Sequence, residues 1–151
     1  MKTAILYISV HHGNTKKVAA AMAQVLSADL IDLSLSNDVD LSQYDLIGLA
    51  SGCFYHNMHE KILDFARQTH FPTGQKIFLL CTCGTPYRDY TKSMKKILKQ
   101  KGVSMAGSFQ CRGFDTFGPF AKIGGIAKGH PNEKDLAKAR EWAGRLKTDR
   151  G

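Results

Sequence analysis

Thr3-Ala4-Ile5-Leu6-Tyr7-Ile8, Ser9-Val10-His11-His12-Gly13-Asn14-Thr15, then Lys16-Lys17-Val18-Ala19-Ala20-Ala21-Met22-Ala23 is the stretch that sets the fold. An apolar run breaks into a polar turn with one glycine, and a helical pattern begins at once. A buried strand, a hydroxyl-bearing loop and a helix start, in that order, make an anion site. The loop offers backbone N–H groups, and the helix end adds partial positive charge. A phosphate is the natural guest. The spacing fits neither G-x-x-x-x-G-K-[ST] nor G-x-G-x-x-G, so two common nucleotide loops are set aside.

Outward from this stretch, apolar runs alternate with amphipathic ones. The pattern predicts strands at 2–9, 30–35, 46–50, 77–82 and 105–111. It predicts helices at 15–26, 58–68, 90–101 and 133–147. Leu46-Ile47-Gly48-Leu49-Ala50 and Ile77-Phe78-Leu79-Leu80-Cys81 are near-continuous apolar runs. Such runs suit a parallel sheet covered on both faces. With right-handed crossovers, the alternation implies a three-layer, doubly wound α/β fold. Asn132 precedes the last helix as a cap, and Gly102 ends the one before. One irregular stretch, 112–131, is long for a compact domain and marks a functional segment or a surface loop.

The totals set bounds. A chain of 151 residues with 43% hydrophobic content can bury one ordinary core as a single domain. No apolar run nears the roughly 18 residues needed to span a bilayer. The start lacks the apolar region and cleavage site of a signal peptide, so a cytoplasmic location is expected. Four cysteines, Cys53, Cys81, Cys83 and Cys111, are then expected as thiols. None forms a C-x-x-C pair, and no metal site is expected.

Ligands of open α/β sheets bind beyond the carboxyl ends of the strands. Four loops are therefore decisive: 9–15, 51–59, 83–89 and 111–131. The second reads Ser51-Gly52-Cys53-Phe54-Tyr55-His56-Asn57-Met58-His59, with adjacent aromatics suited to stacking on a planar ring. A core Phe beside a surface Tyr is the plainer reading. His56 and His59 stand at i, i+3, but no third metal ligand is evident nearby. The third loop, Cys83-Gly84-Thr85-Pro86-Tyr87, presents backbone groups beside an aromatic. The fourth carries Gly113-Phe114-Asp115-Thr116-Phe117-Gly118-Pro119-Phe120. Its phenylalanines either cover a ligand or pin the loop.

These loops together resemble the flavodoxin family. Ile8-Ser9 leading to Gly13-Asn14-Thr15 is similar to its phosphate loop. Ser51-Gly52 and Cys83-Gly84-Thr85-Pro86-Tyr87 open the next two loops as the family does. The resemblance covers almost the whole chain. It implies a five-stranded parallel sheet in the order 2-1-3-4-5 and noncovalent FMN. It implies electron shuttling between redox partners in place of catalysis by side chains. The implied cofactor-binding residues are Ser9, Val10, His11, His12, Gly13, Asn14 and Thr15 in the first loop. In the second they are Ser51, Gly52, Cys53, Phe54 and Tyr55, and in the third Cys83, Gly84, Thr85 and Tyr87. Tyr55 and Tyr87 are the candidates to flank the ring. A small FMN-dependent NAD(P)H or quinone reductase is the alternative, and a flavin-free binding module the third class.

Three features depart from the family pattern, one of them the 112–131 segment, which has no simple counterpart in it. Val10-His11-His12 makes the first loop one residue longer than usual. The charge is also unusual, because many flavodoxins are acidic and this chain has a net charge of +8. Residues 1–60 hold three Lys/Arg against six Asp/Glu, whereas residues 61–151 hold 18 against seven. Lys92, Lys95, Lys96 and Lys99 share one helical stripe opposite Met94, Ile97 and Leu98. This stripe is either a solvated face or a dock for an acidic redox partner. Nucleic acid is not expected, because no recognition motif accompanies the charge.

Overall fold

A computed structural model describes residues 1–10, 13–85, 88–114 and 125–150, with residues 149 and 150 described by backbone alone. The elements run β1 (Thr3–Ile8), α1 (Asn14–Leu26), β2 (Asp29–Asp32), β3 (Leu46–Phe54), β4 (Asn57–Met58), α2 (Glu60–Gln68), β5 (Lys76–Cys83), α3 (Lys92–Gln100), β6 (Ser104–Arg112) and α4 (Glu133–Arg150). Five strands are parallel in the order β2-β1-β3-β5-β6, the expected 2-1-3-4-5 arrangement. The sequence pattern did not show β4, a two-residue strand turned back antiparallel on β3.

Alternation along β1 sorts its side chains into two cores. Ala4, Leu6 and Ile8 face α2 and α3, and Ile5 and Tyr7 face α1 and α4. Close packing fixes two glycines. Gly48 on β3 lies against the ring of Phe78, its register partner on β5. Gly107 on β6 has φ 143° and follows a bulge at Ala106, where register passes from Ile77–Met105 to Phe78–Gly107. Trp142 of α4 fills the space over Gly107 and touches Phe78 and Phe109, at ring-centroid distances of 5.8 and 5.7 Å.

Local hydrogen bonds trim the expected boundaries. Asp32 accepts from the N–H and hydroxyl of Ser34, a turn that stops β2 early. Met58 belongs to β4, so α2 starts after His59, whose Nδ1 accepts from Lys61 N at 3.0 Å. Asp89 Oδ1 accepts from Thr91 N and Oγ1, holding a turn ahead of α3. Asn132 and Asp135 exchange side-chain bonds to each other's backbone N–H, a reciprocal box that opens α4. Gly102, at φ 71°, follows the end of α3 as expected.

Candidate functional site

The carboxyl ends of β3, β5 and β6 and the start of α1 surround one cleft. Its walls are Val10, Asn14, Gly52, Cys53, Phe54, Thr82, Cys83, Gly84, Gly113 and Phe114. It is a shallow opening of about 340 Å³, counting the part open to solvent. Three of the four predicted loops supply most of this wall, and the fourth contributes Gly113 and Phe114.

The floor beside α1 is built from small polar groups. Gly13 caps the helix in the left-handed region, at φ 66°, with no side-chain cap of its own. The Ser9 hydroxyl stands in and accepts from Lys16 N at 3.2 Å. The first-turn amides of Asn14 and Thr15 have no intrahelical acceptor, so the helix opens onto the loop as a donor cluster. Asn14 is nine-tenths buried. Its amide nitrogen donates to the Phe114 carbonyl at 2.7 Å, and its Oδ1 is a buried acceptor with no partner among the described residues. Thr15 and Thr82 share a buried hydroxyl bond of 2.9 Å. Gly113 leaves room for Asn14, since a Cβ there would lie 2.7 Å from Asn14 Nδ2.

The second loop is held from below. The fully buried Ser51 hydroxyl donates to Gly52 O and accepts from His59 N, at 2.9 and 3.0 Å. Ser51 thus shapes the loop and is not part of the cleft wall. The hairpin tip is strained. Tyr55 and His56 sit at φ 51° and 66°, a left-handed pair in which the bulky Tyr55 is the costly member. Tyr55 is 81% exposed beside the cleft. The His56 ring lies parallel to Tyr90, with centroids 6.3 Å apart. His59 packs edge-on against Phe54, and burial together with Lys61 lowers its pKa. Its ring nitrogen is engaged as the α2 cap, and the described residues hold no cluster fit for a metal.

In the third loop, the Thr85 carbonyl accepts from Tyr90 OH at 2.8 Å, which pins Gly84 at the rim. The fourth loop leaves β6 through two bonds: Gly113 N donates to Cys83 O at 2.9 Å, and Phe114 N to His130 O at 2.8 Å. His11, His12, Tyr87, Phe117 and Phe120 lie outside the described residues. Sequence reasoning did not single out Thr82 as a site residue. A lone hydroxyl ending an apolar strand was the available signal.

The Flavodoxin domain matches residues 4–117. The chain belongs to the flavodoxin family. This flavodoxin-family chain is 39% identical to the uncharacterized protein MJ0298 of Methanocaldococcus jannaschii, over 95% of this chain and 96% of that one. In fold it is similar to oxidised Flavodoxin 2 from Bacillus cereus, with a TM-score of 0.74, 17% identity and 99% of each chain covered. It is also similar to a flavodoxin from the domain Archaea, with a TM-score of 0.63, 15% identity, and 99% of this chain and 98% of that one covered. No helix among the described residues of this flavodoxin-family chain is long and apolar enough to cross a membrane.

Proposed function

We propose that this flavodoxin-family protein binds FMN and carries electrons between redox partners in the cytoplasm. The observation that carries the reading is the floor of the cleft. A helix N-terminus opens there beside the buried Asn14 Oδ1, which has no partner among the described residues. That donor set suits a phosphate, and the lone acceptor suits a hydroxyl of the chain linking phosphate to ring. The residues present therefore fit FMN.

Ser9, Gly13, Asn14 and Thr15 hold the phosphate, with Val10, His11 and His12 completing that loop. Gly52, Cys53, Phe54, Cys83, Gly84 and Thr85 border the ring. Ser51 fixes the Gly52 segment, and Tyr55 and Tyr87 offer aromatic faces. Bound FMN supplies the electron chemistry, and the protein supplies binding, orientation and exclusion of water.

Titration of the protein with FMN, followed by quenching of flavin fluorescence, tests this. Saturable one-to-one binding with a Kd in the micromolar range or below, about −8 kcal/mol or better, is expected. No quenching at a large excess of protein refutes the reading. Steady NAD(P)H oxidation by the loaded protein alone marks a reductase; dependence on a separate reductase marks a carrier.

The basic stripe on α3 is the proposed dock for an acidic partner. Lys95 is tied to Asp89 at 2.9 Å, and Lys92, Lys96 and Lys99 are exposed. Changing these three to glutamine slows electron transfer at low salt and flattens its ionic-strength dependence. An unchanged rate and salt slope with an acidic partner removes the dock.

A further inference from the structure

Two of the four cysteines stand side by side at the edge of the cleft. β3 and β5 run parallel and in register through Ser51–Cys81 and Gly52–Thr82. Cys53 and Cys83 are the next residues on the two strands. Both border the cleft, and both pack in the core shared with α2 and α3. Neighbouring strands are about 4.8 Å apart, and in-register side chains leave the sheet on the same face. A disulfide needs a Cα separation of roughly 4.4–6.8 Å, a range that includes this strand spacing. The Cys83 thiol donates to Cys111 O on β6, so it must rotate towards β3 to meet Cys53.

The cysteines differ in access. All four are present as thiols. Cys53 is half-buried and reachable from the cleft, and Cys83 lies behind it, buried. Cys81 lies two residues deeper on β5, and burial pushes its thiol well above the ordinary value. Cys111 belongs to the opposite core, and burial pushes it up to about 12. Neither Cys81 nor Cys111 borders the cleft, and a thiol held protonated is a poor nucleophile.

We propose that Cys53 and Cys83 form a reversible dithiol–disulfide pair at the edge of the cleft, with Cys53 the entry thiol and Cys83 the resolving one. The oxidant is a low-molecular-weight disulfide such as oxidised glutathione. Cys53, as thiolate, attacks one of its sulfurs, forming a mixed disulfide and releasing one glutathione thiolate. Cys83 loses its proton to solvent and attacks the Cys53 sulfur, breaking the mixed disulfide and releasing the second glutathione. Two protein thiols become one disulfide, and one oxidised glutathione becomes two thiols. The bond ties the end of β3 to the end of β5 beside Gly52. The pair stands on strand register and on the shared place of both residues at the cleft, and does not depend on FMN binding.

The experiment uses the full chain without added cofactor. The reduced protein is equilibrated across a series of oxidised-to-reduced glutathione ratios. It is then quenched in denaturant with an alkylating reagent, weighed intact and peptide-mapped. Two of the four thiols are expected to disappear together, with one linked peptide pair joining Cys53 to Cys83, reversed by dithiothreitol. Cys83→Ala is expected to keep one glutathione on Cys53, and Cys53→Ser to stay unmodified. Cys81→Ala is expected to react as the parent does. Four alkylated thiols at every ratio, or a linkage to Cys81, Cys111 or a second molecule, overturns the proposal from the parent protein alone.

Discussion

Replacing Gly48 with alanine tests how tightly the middle of the sheet is packed. A Cβ at position 48 would lie 2.4 Å from Phe78 Cζ, 2.7 Å from Cε2 and 2.9 Å from Cε1. Ordinary carbon contacts begin near 3.5 Å, so the ring must retreat by about 1 Å. It has nowhere to go. Phe78 is fully buried, Trp142 sits 5.8 Å behind it, and Trp142 is already tight over Gly107. The strain therefore passes along a chain of rigid rings. The expected loss is about 3 kcal/mol, the upper part of the range for overpacking. For a chain of this size, that lowers Tm by roughly 6–12 °C. Phe78→Leu removes the ring tip and by itself costs about 2 kcal/mol through lost burial and a residual cavity. In the double variant the clash is gone, so the loss stays near that about 2 kcal/mol and does not reach the additive sum of about 5. Urea melts read the effect through Trp142, the only tryptophan and itself part of the contact. A Gly48→Ala variant within about 0.5 kcal/mol of the parent, or an additive double variant, refutes the packing argument.

Two further outcomes follow from the geometry. Tyr55→Gly removes a left-handed penalty of about 1–2 kcal/mol against a smaller glycine entropy cost. Thermal scans should therefore show a Tm rise of a few degrees, while FMN titration should show weaker binding; a lower Tm argues against strain at the tip. Burial raises the Asp89 carboxyl, but its bonds from Thr91 and Lys95 outweigh this and hold it at about 2, below the ordinary 3.8. That stabilisation is complete above about pH 4 and is lost as pH falls towards 2. Acid melts of Asp89→Asn should show a shallower slope in that window, and an unchanged slope assigns the acid response elsewhere.

The alternation of strand and helix was plain in the sequence because parallel strands buried on both faces leave long apolar runs, as in β3 and β5. The start of α1 was equally plain, since Gly13 and the polar residues around it have few other uses between a strand and a helix. The hairpin at Tyr55-His56 was hidden. Its left-handed pair carries none of the Asn or Gly that normally announces such a turn, and tertiary contacts impose it. Ser51 reads as a cofactor residue in the motif, yet its hydroxyl is consumed by Gly52 O and His59 N. Gly113 was visible as a glycine in a glycine-rich loop. Its role shows only once Asn14, about a hundred residues earlier, is packed against it.

Phe114 gives the wall of the cleft a closed neck. Its N–H donates to His130 O, and its carbonyl accepts from Asn14. The Phe114–His130 bond thus joins two anchors that are 16 positions apart in the sequence. Closing a flexible loop costs entropy only as the logarithm of its length, and doubling the length adds only about 0.6 kcal/mol. Insertions there are cheap so long as both anchors stay. The two anchor bonds, and not the length of chain between them, are what hold Asn14 and the floor of the cleft to β6.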